Sequence, residues 1–197
     1  ATLFPAFALH PLALAADLAE FLRQRLVSLL EEEGIDADLV QAVAGDTVAL
    51  ERLLADPLDA RQRAQLLQSL RRSGALQAVQ AVVQRAARLA EKGDLSREQL
   101  SPSGIVDAAL FSSPSEAAML QVLETLEPIA SGSGHQRYGR LAQALAESAD
   151  TLAAFFDGET SVLVMAEDPA VRGNRLALLA LLRNQASVLA DFSRISG

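Results

Sequence analysis

The chain has 197 residues, half of them apolar, and it carries a formal net charge of −8. It contains no cysteine, which excludes disulfides and thiolate metal sites and fits a reducing cytoplasm. The acidic balance argues against a generic nucleic-acid binder, since that class of protein is usually basic.

Leucine and alanine are abundant, β-branched residues are sparse, and only eight aromatic residues occur. This balance predicts an all-α fold in which the helices pack as a bundle. Capping residues, prolines and glycines set the expected bounds of the elements. In chain order, the predicted helices cover residues 11–33, 36–44, 46–55, 57–73, 75–92, 113–129, 135–156 and 169–192. Residues 162–165 alone have strand character, and four residues are too few for a sheet.

The early helices carry clear local signals. Asp36 and Asp46 are expected to cap the second and third helices, and Asp56 followed by Pro57 opens the fourth. On the fourth helix we expect leucines to face inward. Four arginines of that helix are expected to face largely outward: Arg61, Arg63, Arg71 and Arg72.

The apolar N-terminal stretch is interrupted by Pro5 and Pro11. It is too short to span a bilayer and has no basic leader, so we expect neither a signal peptide nor a membrane anchor. The lack of an initiator methionine suggests a fragment of a longer protein.

Charge is distributed unevenly along the chain. Residues 56–100 hold eight basic and five acidic residues, whereas residues 1–55 hold three basic and nine acidic ones. Within the basic segment, Arg85, Arg88 and Lys92 have the spacing of one helical stripe, roughly 10 Å long. Such a stripe can bind successive phosphates of RNA. It can equally pair with acids close in sequence, and the pattern leaves both interpretations open.

Tyr138, the only tyrosine, stands between Arg137 and Arg140 beside a glycine-containing joint. Single-stranded RNA is often bound by stacking bases on aromatic rings or arginine planes. The cluster is therefore a candidate RNA contact, and ordinary packing of the tyrosine is the alternative. In the last predicted helix, Arg172 is a further candidate, whereas Asn174 and Arg175 are expected to make structural hydrogen bonds.

Catalytic and metal-binding patterns are missing from the sequence. His10 and His135 are far apart and neither belongs to a metal-binding motif. No glycine-rich phosphate loop or GxSxG nucleophile motif occurs. We therefore expect the polypeptide to be non-catalytic by itself, without a metal or cofactor.

Four segments near the end of the sequence share the order and spacing of one family. They are FFDG at 155–158, VLVM at 162–165, D-P-x-x-R-x-N-R-L-x-L-L at 168–179 and ADFS at 190–193. These segments resemble the β subunit of the tetrameric, bacterial-type glycyl-tRNA synthetase. Upstream, further family-like segments lie at 21–26, 35–43, 84–89 and 108–116, so the resemblance covers nearly the whole chain.

Two departures from the family pattern carry information. Arg88 stands where the family usually has asparagine, so no role of that amide is carried over. The loop at 155–165 is two residues longer than the commonest form and is similar to that of the cyanobacterial branch.

The resemblance implies a subunit that works in a tetramer of two α and two β subunits, in which the α subunit holds the ATP- and glycine-binding catalytic core. It implies that residues 56–197 form a DALR-type helical bundle, similar to the anticodon-binding domains of arginyl- and cysteinyl-tRNA synthetases. Residues 1–55 would be an N-terminal helical segment. Such a bundle would bind the anticodon region of glycine tRNA in the cytoplasm.

Two groups of residues follow from these interpretations. The candidate tRNA contacts are Arg85, Arg88, Lys92, Arg137, Tyr138, Arg140 and Arg172. The structural motif residues are Phe155, Phe156, Asp157, Asn174, Arg175 and Asp191. A different class of function stays open, namely a helical module that binds a protein and makes no direct RNA contact.

Overall fold

The computed structural model describes residues 11–196, with side chains from residue 13 onward. His10 and the apolar residues before Pro11 lie outside this range. The helices are α1 (Pro11–Glu32), α2 (Ala37–Ala44), α3 (Leu50–Ala55), α4 (Pro57–Ser73), α5 (Leu76–Ala90), α6 (Pro114–Ala130), α7 (Gln136–Glu147), α8 (Ala149–Ala153) and α9 (Pro169–Ser187), with short 3-10 turns at Ala108–Leu110 and Phe192–Arg194. No strand forms within the described range. The all-α prediction is confirmed.

Several helix starts follow directly from local sequence. The Asp56 carboxylate accepts a hydrogen bond from the Asp59 amide at the start of α4. Ser113 and Glu116 form a capping box at the start of α6. At the start of α9, Asp168 accepts from the amides of Ala170 and Val171. In each case proline occupies the first helical position, where its missing N–H costs nothing.

The predicted cap at Asp46 is wrong, because α3 begins at Leu50 with Ala49 before it. Arg23 of α1 donates to the carbonyls of Ala44, Gly45 and Val48. These bonds hold the irregular segment between α2 and α3 against α1. The Asp46 carboxylate instead pairs with Arg194 at 2.8 Å.

The core is built around α9, whose side chains are buried on nearly every face. It packs most extensively against α5, and α6 covers another side. Gly93 after α5 lies against Leu176, whereas Gln80 and Gln84 of α5 bond to carbonyls near the end of the chain. The two helices are therefore antiparallel. Residues from α1 to the last 3-10 turn contribute to one continuous apolar core, and the division at residue 55 stays a prediction.

Two predicted helices have different bounds in the structure. The predicted helix at 135–156 is interrupted at Ser148 and becomes α7 and α8. The break lets Ala149 and Leu152 turn into the core beside α5 and α6. The last helix ends at Ser187, five residues before the predicted end, and Phe192 is then buried from a separate 3-10 turn.

Arg63 corrects a further prediction, because it was expected to face outward and is only 1% exposed. Its Nε donates to the Asp59 carboxylate at 2.9 Å, and its other nitrogens donate to the carbonyls of Leu189 and Val43. The guanidinium can be buried because a carboxylate neutralises its charge and carbonyls accept its remaining protons. It thereby ties α4 to α2 and to the segment after α9.

The Asp38 carboxylate joins α2 to α4 and to the chain end. It accepts two hydrogen bonds of 2.7 Å from Arg71 and one from the Ser196 amide. The bonds from Arg71 outweigh partial burial and lower the pKa of Asp38 from 3.8 to about 2. The carboxylate therefore contributes stability that is fully present above about pH 4 and is lost as the pH falls through 2.

We expect Asp38→Asn to remove this acid-dependent contribution, which solvent screening limits to roughly 1 to 2 kcal/mol. Urea unfolding of wild type and variant at neutral pH and near pH 2 measures it. The difference between the two proteins should be present at neutral pH and shrink on acidification. The exposed Asp150→Asn provides the control. A wild-type advantage that persists unchanged near pH 2 would contradict the assignment.

Candidate nucleic-acid interface

The predicted basic stripe exists as an exposed ridge on α5 and the residues just after it. Arg85 forms an ion pair of 2.7 Å with Asp157, and its guanidinium lies 4.6 Å above the Phe156 ring. Both charged side chains of this pair are largely exposed, so water screens their attraction. Arg88 is exposed and its guanidinium donates weakly to a carbonyl of its own helix, that of Gln84, at 3.4 Å. Both arginines can therefore exchange their present contacts for an anion.

Lys92 and Arg172 both line one groove of about 530 Å³, between the end of α5 and the start of α9. Arg172 also donates to the Ala166 carbonyl at 2.9 Å, which fixes the loop before α9. Asp94 lines the same groove and offsets part of the positive charge. The structure thus brings Arg172 next to the end of the α5 ridge, a proximity that the sequence could not predict.

Tyr138 does not offer its ring to a base, because it is only 3% exposed. Its hydroxyl donates to Asp59 and accepts from Arg52 at 3.2 Å and from Arg137 at 3.1 Å. Arg137 covers the ring at 5.0 Å and donates to the Gly132 carbonyl. The predicted stacking role of Tyr138 does not fit this geometry. Among the three predicted residues of this turn, Arg140 is the exposed one.

Asn174 and Arg175 of α9 are bonded to the chain's own atoms. Asn174 accepts from the Asp107 amide at 2.8 Å and donates to the Asp107 carbonyl at 3.0 Å. Arg175 donates to Glu116 at 2.8 Å, and these two side chains are 7% and 0% exposed. Arg175 also donates to the Leu163 carbonyl and to the Ser112 hydroxyl. This network holds the 157–168 loop and the start of α6 against α9.

The remaining structural motif residues are Phe155, Phe156, Asp157 and Asp191. Phe155 is fully buried, and its ring meets that of Phe156 edge to face at 5.4 Å. Asp157 positions Arg85 on the ridge. Asp191 accepts from the Thr47 hydroxyl at 2.8 Å and from the Ser193 amide, so it fixes the last 3-10 turn beside α2. Phe156 and Asp157 therefore hold Arg85 in place, and Asp191 holds the last turn of the chain.

The structure assembles a second basic cluster that the sequence pattern does not predict. Five arginines line one cavity of about 690 Å³ between α3, α5, α9 and the last 3-10 turn: Arg52, Arg63, Arg97, Arg183 and Arg194. They are spread over more than 140 positions of the sequence and share no helical spacing. The only available signal was the local basic excess of residues 56–100, which contains two of them.

Residues 11–196 contain neither a cluster of metal-binding side chains nor a helix suited to cross a membrane. Between residues 11 and 196, no group of three or more His, Asp or Glu side chains is placed to hold a metal ion. None of the helices described there combines the length and the apolar character needed to cross a membrane.

Known proteins related to this chain align over most of its length, although no protein-family model matches it. The glycine–tRNA ligase β subunit of Picosynechococcus is 50% identical over 181 residues, 90% of the chain. The β subunits of Acaryochloris marina and Trichodesmium erythraeum are 48% and 47% identical, over 90% and 92% of the chain. The chain is homologous to a segment of glycine–tRNA ligase β subunits. The resemblance found in its motifs is thereby confirmed.

The chain spans about a quarter of the length of these glycine–tRNA ligase β subunits. The three organisms are cyanobacteria, the branch that the longer loop at 155–165 resembles. The β subunit of Acidithiobacillus ferrooxidans is 34% identical over 98% of the chain. The relationship therefore extends beyond cyanobacteria.

Proposed function

We propose that the chain is a tRNA-binding module of a glycine–tRNA ligase β subunit and that it binds the anticodon region of glycine tRNA. The observation that carries this proposal is the identity of about 50% to β subunits named for that enzyme. In this proposal the chain forms the C-terminal, DALR-type part of the subunit and works in the cytoplasm. It positions the tRNA, while the α subunit uses ATP to attach glycine. The chain itself contributes no bond chemistry and needs no cofactor.

The proposed contact surface is the α5 ridge with Arg85 and Arg88, continued by Lys92 and Arg172 at its end. The present partner of Arg85 is an exposed carboxylate, which a phosphate can replace at little cost because water already screens the pair. The Phe156 ring lies 4.6 Å from that guanidinium and provides a cation–π contact. A ridge of separate cations matches the spacing of a bent phosphate backbone. Arg140 on α7 is exposed and is a further proposed contact, whereas Tyr138 is left out because it is buried.

One observation favours a second candidate, a protein-binding face. Apolar side chains on α1 fall within roughly 100° of the helix circumference and are 43–61% exposed. These side chains are Leu14, Leu18, Phe21, Leu22 and Leu29. Clusters of exposed apolar residues of this kind mark protein contacts more often than RNA contacts. In the second candidate this face binds another protein segment and the basic ridge only keeps the chain soluble.

Binding of glycine tRNA as a function of salt separates the two candidates. We expect a negative log–log slope of affinity against salt, close to −0.7 for each phosphate contacted on a single strand. Arg88→Glu should weaken binding by about tenfold and reduce the slope by about one contact. Arg72→Glu is the matched control, since Arg72 is exposed on α4 and lines neither the groove of Lys92 and Arg172 nor the five-arginine cavity. Absence of tRNA binding, or equal effects of both variants, would contradict the proposal.

A further inference from the structure

The cavity lined by five arginines has more positive charge than its acidic neighbours can balance. Glu91 and Asp191 line it, and Asp59 and Asp46 pair with arginines of its wall, which leaves five arginines with an excess of one positive charge. The chain as a whole carries a net charge of −8, so this concentration is not a consequence of composition. Concentrated positive charge in a concave, partly desolvated site attracts anions more strongly than the same charges on a flat surface.

Three of the five arginines already have carboxylate partners. Arg63 and Arg52 share the Asp59 carboxylate, at 2.9 and 3.4 Å. Arg194 pairs with Asp46 at 2.8 Å, and both of those side chains are substantially exposed. The Asp191 carboxylate accepts hydrogen bonds from Thr47 and Ser193 and also faces the charge of Arg194.

Arg183 and Arg97 are the two arginines that pair with no carboxylate of the described residues. Arg183 is 8% exposed, its Nε and Nη2 both donate to the side-chain Oδ1 of Asn184, and Nη2 also donates weakly to the Leu95 carbonyl at 3.4 Å. Its Nη1 donates to no atom within residues 11–196. Burial, followed by the charge of Arg97, lowers the pKa of Arg183, and the charge of Glu91 opposes this only in part. The charges of Arg97 and Arg183 repel each other, and an anion bound between them would relieve that repulsion.

We infer that this cavity is a phosphate site, and that the phosphate it takes is a backbone phosphodiester of the bound RNA. One guanidinium can bind two phosphate oxygens at once, and the wall of this cavity carries five such groups. The one aromatic residue of its wall, Phe192, is only 3% exposed, so the cavity provides no surface for stacking a base. Its volume admits a phosphate with its adjoining sugars.

The position of the cavity links it to the α5 ridge. Ala87 and Glu91 of α5 line the cavity, and Arg88 follows Ala87 by one residue, roughly 100° around the helix. An RNA strand lying along the ridge at Arg88 can therefore direct a neighbouring phosphate into the cavity. This part of the inference rests on the proposed binding of glycine tRNA.

The test compares Arg97→Glu with Arg72→Glu in binding to glycine tRNA. Arg97 is exposed, so its replacement leaves the fold intact, and a thermal melt followed by circular dichroism verifies this. We expect Arg97→Glu to weaken binding by about tenfold and to reduce the salt slope by about one contact, and Arg72→Glu to change affinity less than about twofold. Equal losses for the two variants would overturn the inference.

A second measurement needs no RNA. The melting temperature of the wild-type chain should be higher in inorganic phosphate than in chloride at the same ionic strength. The reason is that phosphate binds the folded state and so stabilises it. Arg183→Gln should remove most of this difference. No effect of phosphate on the wild type would overturn the phosphate site. Failure of the wild type to bind tRNA, with the phosphate effect present, would instead overturn the proposed function and the RNA origin of the phosphate.

Discussion

Replacing Glu116 by glutamine should lower the free energy of unfolding by about 3 to 5 kcal/mol. Glu116 is fully buried and pairs with Arg175, while its other oxygen accepts from the amides of Ser112 and Ser113. Burial alone would raise the pKa of this carboxyl, but the bonds from Arg175 and the two amides outweigh it and lower the pKa. Glutamine keeps the size of the side chain but leaves the Arg175 charge without compensation in a site that excludes water.

Equilibrium urea unfolding measures this loss. Glu124→Gln is the matched control, because Glu124 is exposed on the same helix and its replacement should change stability by less than about 0.5 kcal/mol. The two variants remove the same charge from α6, so a difference between them isolates the buried pair. A change below about 1 kcal/mol for Glu116→Gln would show that the network does not hold the 157–168 loop as described.

Replacing Asp59 by asparagine should destabilise the chain by a similar amount, about 3 to 5 kcal/mol. The Asp59 carboxylate accepts from Arg63, from Arg52 and from the Tyr138 hydroxyl, and so joins α3, α4 and α7. Burial alone would raise its pKa, but the bond from Tyr138 and the charges of the two arginines lower it. Without the carboxylate, the Arg63 charge stays buried and unbalanced.

A double variant separates the loss of charge balance from the loss of packing. Asp59→Leu combined with Arg63→Met replaces the buried pair by apolar side chains, and it should recover part of the stability that Asp59→Leu alone loses. Urea unfolding of the two single variants and the double variant gives the coupling energy. Losses that simply add would contradict a direct interaction between Asp59 and Arg63.

Local signals predicted the fold class and most helix starts. Asp56, Ser113 and Asp168 each precede a proline, and each caps a helix through bonds to residues within a few positions. Such contacts are set by short stretches of sequence, which is why spacing alone identifies them. The break at Ser148 and the early end of α9 depend on packing against distant helices. The helical spacing of apolar residues continues through both positions, so the sequence predicted neither of these helix ends.

The candidate site was predictable where it lies on one helix and unpredictable where it is assembled from several. Arg85, Arg88 and Lys92 share the α5 ridge because helical spacing places them there. The burial of Tyr138 depends on Asp59, 79 positions earlier, and that of Arg63 on the Leu189 carbonyl, 126 positions later. The arginine cavity is likewise formed by segments far apart in sequence. A single sequence without related sequences carries no signal for such long-range contacts.

The central claim is that the chain binds glycine tRNA at its anticodon region. The most direct measurement is the affinity of the chain for two halves of that tRNA, namely the isolated anticodon stem-loop and the acceptor-arm minihelix, at the same salt concentration. We predict that the stem-loop retains most of the affinity of the whole tRNA and that the minihelix binds at least about tenfold more weakly. Equal affinity for the two halves, or preference for the minihelix, would contradict the claim.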